Sequence, residues 1–145
     1  MTTRRRATGP RKIEAPRPAA GKLTFATATA ADAAAIAALR TAVAEALTTQ
    51  HGKGHWSWGA AERSVLGSMK RSRVIVGRAR GLVVATLNLA TRKPWAIDTA
   101  YFTPCPRPLY LTAMAVAPSR QRTGVGGKML EYAKRSAQSW PADAI

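Results

Sequence analysis

Apolar residues in this chain fall in short blocks whose spacing switches between a period of two and a period near four. Leu23-Thr24-Phe25-Ala26 predicts a first short strand. Thr29-Ala30-Ala31-Asp32 has the spacing of a capping box, with Asp where Glu is usual, and predicts a helix start. Ile36, Leu39, Val43 and Leu47 then recur at steps of three and four, one face of an amphipathic helix running to about Thr49. Gly52 and Gly54 predict its end near Gln50, and 51–59 reads as a loop. A shorter helix is expected from about Ala60 to Lys70, with Val65, Leu66 and Met69 inward. Arg73–Val76 and Leu82–Leu89 read as strands, and Gly77–Gly81 as the turn that joins them in a hairpin.

Pro94, Pro104, Pro106 and Pro108 mark an irregular loop that also carries Trp95, Tyr101 and Phe102. Leu109–Val116 is the strongest strand signal, and because both its odd and even positions are apolar it predicts burial on both faces. Pro118 ends that strand. A helix from about Gly124 to Ser139 follows, with Val125, Met129, Leu130, Ala133 and Ala137 on its apolar side and Trp140-Pro141 as its stop. Ala142–Ile145 reads as the lead into another element.

A length of 145 residues fits one domain. The chain is 46% hydrophobic, but alanine supplies much of that, which predicts a thin core. No run approaches the roughly 18 to 20 apolar residues of a membrane span, and Met1–Lys22 lacks the apolar block of a secretory signal. Cys105 is the only cysteine, so neither an intrachain disulfide nor a cysteine zinc cage can form. His51 and His55 are four apart, but the intervening glycines argue for a polar loop and against a metal site. These features predict a cytoplasmic protein that needs no membrane.

Charge adds a second theme. The formal net charge is +16, and such a surplus attracts polyanions. Arg4, Arg5, Arg6, Arg11, Lys12, Arg17 and Lys22 stand against Glu14 alone in Met1–Lys22, which three prolines interrupt. The expected organisation is a basic disordered tail over 1–22 and a folded domain over 23–145. The tail suits a solubilising arm with non-specific affinity for nucleic acid.

The informative segment is Val116-Ala117-Pro118-Ser119-Arg120-Gln121-Arg122-Thr123-Gly124-Val125-Gly126-Gly127. It predicts a buried strand, a tight turn and a helix whose first turn is rich in glycine. The first N–H groups of a helix have no partner within it and carry partial positive charge. Gly124 and Gly126 remove side chains that would hold a phosphate away, and Arg120, Arg122 and Lys128 add positive charge, so the site suits a pyrophosphate. The spacing is not that of a dinucleotide-binding fold, and Gly127-Lys128-Met129 lacks the Ser or Thr of a Walker loop. A glycine turn that merely caps a helix is the bland alternative.

Gln121-x-x-Gly124-x-Gly126, with the valine–x–proline before it, resembles the signature of the GNAT superfamily of N-acetyltransferases. The order of elements before it is similar too, and the resemblance spans about Leu23 to Ile145. It implies an α/β fold of the α+β type, with a mixed, mainly antiparallel central sheet flanked by helices. It also implies acetyl-CoA as cofactor and a small-molecule or peptide amine as acceptor. By the same resemblance Gln121, Arg122, Thr123, Gly124, Val125, Gly126 and Gly127 hold the pyrophosphate, and Met114 and Val116 meet the pantetheine arm. The Val116 N–H would polarise the thioester carbonyl. Many similar proteins carry an acidic residue where Ala113 stands here, and no Asp or Glu lies between Asp98 and Glu131, which leaves Asp98 as the nearest candidate base beside its reading as a solvated loop charge.

The family's tyrosine acid would lie on a helix beyond Ile145, and Tyr132, inside the pyrophosphate helix, reads as a packing residue. The expectation is therefore a domain incomplete at its C-terminus, with the last strands missing and low or no activity. An unpaired sheet edge, self-association and marginal stability would follow. Trp56, Trp58, Trp95 and Tyr101 either line an acceptor pocket or cap the core. The rival class is a basic, nucleic-acid-associated binding protein without catalysis, although no helix-turn-helix, metal finger or strand-borne aromatic pair is visible.

Overall fold

A computed structural model describes residues 21–145, so the expected basic tail lies outside the described residues except for Gly21 and Lys22. The hairpin at the centre organises the rest. β2 (Arg73–Ala79) and β3 (Leu82–Ala90) are antiparallel, with Ala79 opposite Leu82. The turn is therefore only Arg80-Gly81, both at positive φ (52° and 76°), the backbone that a two-residue hairpin requires. The expected five-residue turn is corrected on this point, because Gly77 lies inside β2. A Cβ on Gly77 would stand 2.9 Å from Phe25 Cε1, so the missing side chain there makes room for a neighbour's ring.

β1 (Leu23–Thr27) pairs with the far side of β2, and β4 (Tyr110–Val116) pairs with β3. The sheet runs β1-β2-β3-β4, antiparallel throughout. The mixed sheet expected is not seen among the described residues, where the one parallel pairing is an isolated bridge between Pro108 and Ala144 outside the four strands. There the Leu109 N–H donates to Ala144 O at 2.7 Å, and the Asp143 N–H donates to Arg107 O at 2.8 Å. Ala144 thus makes a single parallel bridge beside the entry to β4.

Two layers cover the sheet. α1 (Ala33–His51) and α2 (Glu62–Arg71) lie on one face, where Ile36, Ala37, Val65, Val74 and Val76 form a buried cluster. The α1 stripe is largely alanine, which lets the helix sit close to the strands; Val43 and Leu47 are only half-buried. Before α1, the Thr29 N–H donates to Asp32 Oδ2 at 2.8 Å, the acidic half of the expected capping box, around a short 3-10 turn. On the other face α3 (Val125–Ala137) buries Val125, Met129 and Ala133 against Ile75, Leu87 and Leu89. Tyr132 packs its ring 5.4 Å from that of Phe25. Leu130, expected on the inner side, is 39% exposed, because no element covers that flank of α3 among the described residues.

β4 departs most from expectation. It is an edge strand, and Ala113 and Met114 are exposed, so it is not buried on both faces. Thr86 faces Ala115 and Asn88 faces Thr112, which leaves both Ala113 and Met114 opposite Leu87. This is a β-bulge, and Ala113 takes a positive φ of 50° to make it.

Candidate functional site

The site is built where β4 runs into α3. The Ala117 N–H donates to Val84 O at 2.8 Å. By the alternation of an antiparallel ladder, the N–H and C=O of Val116 then turn away from β3 toward the outer edge. On that side the Val116 carbonyl accepts from Gln121 Nε2 at 3.0 Å. Pro118–Arg120 forms a 3-10 turn, closed by the Arg120 N–H on Ala117 O at 2.8 Å. Thr123 Oγ1 donates to Arg120 O at 2.6 Å and tightens the following bend.

Two left-handed residues shape the rest. Arg122 has φ 60° and Gly124 has φ 84°, two left-handed positions that turn the backbone from β4 into α3. The first helical bond of α3 runs from the Lys128 N–H to Gly124 O at 3.1 Å. The amides of Val125, Gly126 and Gly127 precede it and have no intrahelical acceptor. Around Gly124 and Gly127 the space where a Cβ would stand is open. At Gly126 a Cβ would meet Met114 Cε at 3.4 Å, so the turn rests directly on β4. All the residues expected to hold a pyrophosphate or a pantetheine arm, Gln121–Gly127 with Met114 and Val116, are thus brought together along one edge. Arg122 and Lys128 are exposed beside them.

Other candidates fall elsewhere. Asp98 is exposed, and its Oδ1 accepts from the Ala100 N–H at 2.9 Å as the cap of a 3-10 turn. It lines a cavity of about 1130 Å³ between the proline-rich loop and the start of β4, with Lys93, Phe102, Cys105, Tyr110 and Ile145. Trp58, Trp95 and Tyr101 are 84%, 95% and 86% exposed and neither cap the core nor line that cavity. Trp56 is half-buried between the imidazoles of His51 and His55, and its Nε1 donates to Gly52 O at 3.1 Å. Among the described residues, no three His, Cys, Asp or Glu gather as metal ligands, and no helix is long and apolar enough to cross a membrane.

One pair has no motif to mark it. Arg40 of α1 lies four residues after Ile36 and four before Ala44, on the helix face turned to the sheet. Its Nη2 donates to Asn88 Oδ1 at 2.8 Å, and its buried Nε has no partner among the described residues. The helical spacing of Arg40 with buried neighbours was the available signal.

No protein-family model matches the sequence, and no curated protein matches it. Solved structures do match, and they share the fold of GNAT acetyltransferases. A GNAT family acetyltransferase from Brucella melitensis, crystallised with acetyl-CoA, is 17% identical, with a TM-score of 0.58 over 83% of this chain and 71% of that one. The aminoglycoside 6'-N-acetyltransferase of Acinetobacter haemolyticus is also 17% identical, with a TM-score of 0.59 over 83% of this chain and 75% of its own. The ribosomal-protein-S18-alanine N-acetyltransferase of Escherichia coli is 16% identical, with a TM-score of 0.54 over 79% of this chain and 59% of its own.

Proposed function

We propose that this chain binds acetyl-CoA at the Gln121–Gly127 turn and transfers the acetyl group to a primary amine, as a cytoplasmic enzyme. The observation that carries the reading is that α3 opens at Val125–Gly127, whose amides have no intrahelical acceptor, directly beside β4, whose Val116 N–H turns outward. The amides and the dipole of α3 would hold a pyrophosphate, and the open space at Gly124 gives it access. Met114 and the outer edge of β4 would guide the pantetheine arm. Acetyl-CoA supplies an acetyl thioester, an acyl group activated toward amines.

The chain's own contribution is then orientation and charge stabilisation. The Val116 N–H, fixed by the ladder on its inner side, would donate to the thioester carbonyl oxygen, which gains negative charge as the amine nitrogen adds. The amine must be neutral at that moment. Asp98 would draw its proton away through water, from the cavity at the start of β4, and no nearer carboxylate stands on β4. Bulk water would return a proton to the leaving thiolate. Because the outer edge of β4 is bridged only at Pro108–Ala144 among the described residues, self-association along it belongs to the same reading.

Calorimetric titration of acetyl-CoA, with ATP as a polyanion control, tests the site. One-to-one binding that ATP does not reproduce supports it. Equal binding of both would reduce the turn to a basic surface.

A further inference from the structure

A cation is seated on the opposite face of the sheet from α3. Arg40 projects from the inner face of α1, between Ile36, Ala37 and Ala44, all buried. Placing a guanidinium at such a position is unfavourable unless the charge is matched and its donors are satisfied. Its partner is a neutral amide oxygen, that of Asn88, and its buried Nε has none among the described residues. No carboxylate pairs with it among the described residues: Asp32 is taken by Arg78, Asp143 by Arg107 and Glu131 by Lys134. Burial alone pushes its pKa below the ordinary guanidinium value, with no acidic neighbour acting against that. Arginine stays charged all the same.

The position of this cation matters because of Asn88. On β3 it stands opposite Thr112, the residue just before the Ala113–Met114 bulge. Asn88 and Thr112 share the α1 face, whereas Leu87 and Leu89 face α3. α1 reaches over both β3 and β4. The guanidinium therefore lies one strand in from the bulge, on the face away from α3. If the acetyl group is delivered along the outer edge of β4 near Met114 and Val116, an acceptor approaching over the α1 face passes Arg40.

We propose that Arg40 binds the carboxylate of the acceptor, which is an amine that also carries a carboxylate, such as an amino acid or the end of a peptide. The inference rests on the acetyltransferase reading and names its substrate class. A carboxylate brings one negative charge to one guanidinium and can accept from Nη1 and from the hydrogen of Nη2 that Asn88 leaves free, Nε being buried. A phosphate dianion would need a second cation beside Arg40. Asn88 is then a positioning residue: by engaging Nη2 it fixes the plane of the guanidinium.

The test uses the full chain with acetyl-CoA and follows thiol release for L-leucine, L-leucinamide and 3-methylbutylamine across a pH series, so that differences in amine pKa are separated from recognition. The free amino acid should exceed the other two in kcat/KM by roughly 30-fold. Arg40→Met should erase that preference through KM, and Arg40→Lys should restore part of it. Binding of N-acetyl-L-leucine against N-acetyl-L-leucinamide, by calorimetry, reads the same site without turnover. A purely structural strut would lower stability in Arg40→Met and leave the ratio between the two ligands unchanged. Equal affinity of the wild-type chain for both ligands, or binding of neither, overturns the proposal. Acetyl-CoA titrated separately keeps the two ideas apart: its binding without carboxylate preference sinks only the role of Arg40. Carboxylate preference without acetyl-CoA binding sinks only the transfer reading.

Discussion

The side-chain amide of Gln121 donates to the main-chain carbonyl of Val116 at 3.0 Å, tying the start of the glycine turn to the last residue of β4. The bond is exposed, so it does little for the core. Its effect is to hold the amides of 124–127 at a set distance from the outward edge of the strand. Gln121→Ala should therefore weaken acetyl-CoA binding by about 0.5 to 1.5 kcal/mol, about two- to thirteenfold in Kd, with little change in the unfolding midpoint. Parallel calorimetry and urea unfolding check this. A loss of stability with unchanged affinity would place the bond in the fold and not in the site.

Gly124 separates conformation from charge. With φ at 84° it is strained by any side chain, although nothing stands within 4 Å of where a Cβ would go. Gly124→Ala should cost about 1 kcal/mol of stability and weaken binding modestly. Gly124→Glu adds a carboxylate at the mouth of the turn and should abolish acetyl-CoA binding while unfolding much as Gly124→Ala does. Retained affinity in Gly124→Glu would move the phosphate site elsewhere.

Most of the architecture was readable because its signals are local. The steps of Ile36 and Leu39, the hairpin around Gly81 and the Val125–Met129–Ala133 stripe each declare one face of one element. The glycine turn was legible for the same reason, since Gln121, Gly124 and Gly126 lie within six residues. What escaped depends on partners distant in sequence. The apolar run Leu109–Val116 cannot show that β4 lies at an edge, or that Ala113 and Met114 share a single partner in Leu87. Gly77 reads as part of a turn until Phe25 is seen lying over it. Arg40 and Asn88, 48 positions apart, meet only where α1 packs on the sheet.

Asp32 gives a prediction in pH. Burial raises its pKa, but the Thr29 amide and the Arg78 guanidinium more than offset this and hold it below the ordinary carboxylate value. A depressed folded-state pKa means that the stabilisation is fully present above the unfolded value, about 3.9, and is lost as pH falls through the folded one. Asp32→Asn should thus destabilise the chain at neutral pH by about 1 kcal/mol. That difference should shrink below about pH 4. Urea unfolding of both forms at the two pH values measures it, and a deficit independent of pH would remove the ionic contribution from the account.

Ala113 is the strained residue of the bulge, an exposed alanine at φ 50°. Ala113→Gly should gain up to about 1 kcal/mol, because glycine adopts this backbone without a Cβ penalty. Ala113→Val should lose about 1 to 3 kcal/mol, since a β-branched residue tolerates the left-handed region poorly. Neither substitution alters a packed core, so chemical denaturation reads the backbone directly. Equal stability of the three forms would mean that the bulge relaxes and the register of β4 is not fixed.

The outer flank of β4 supplies the last prediction. An open groove of about 410 Å³ lies between α3 and the C-terminal segment, lined by Leu111, Leu130, Ala133, Ala137, Ala142 and Ile145. Asp143 bonds Arg107 through both carboxylate oxygens, Oδ1 to Nη2 at 2.6 Å and Oδ2 to Nε at 3.1 Å, and this pins the segment only at the entry to β4. Beyond that point an exposed strand edge and an apolar groove lie side by side, the combination that favours association between copies. Sedimentation should show mass rising with protein concentration in the micromolar to millimolar range. Leu130→Lys places a charge in the groove at a position already 39% exposed, so it should suppress association with little loss of stability. Arg107→Ala frees the segment and should promote association. A chain that stays monomeric throughout, or a Leu130→Lys form that associates as strongly as the parent, would show that the edge is protected by something other than this groove.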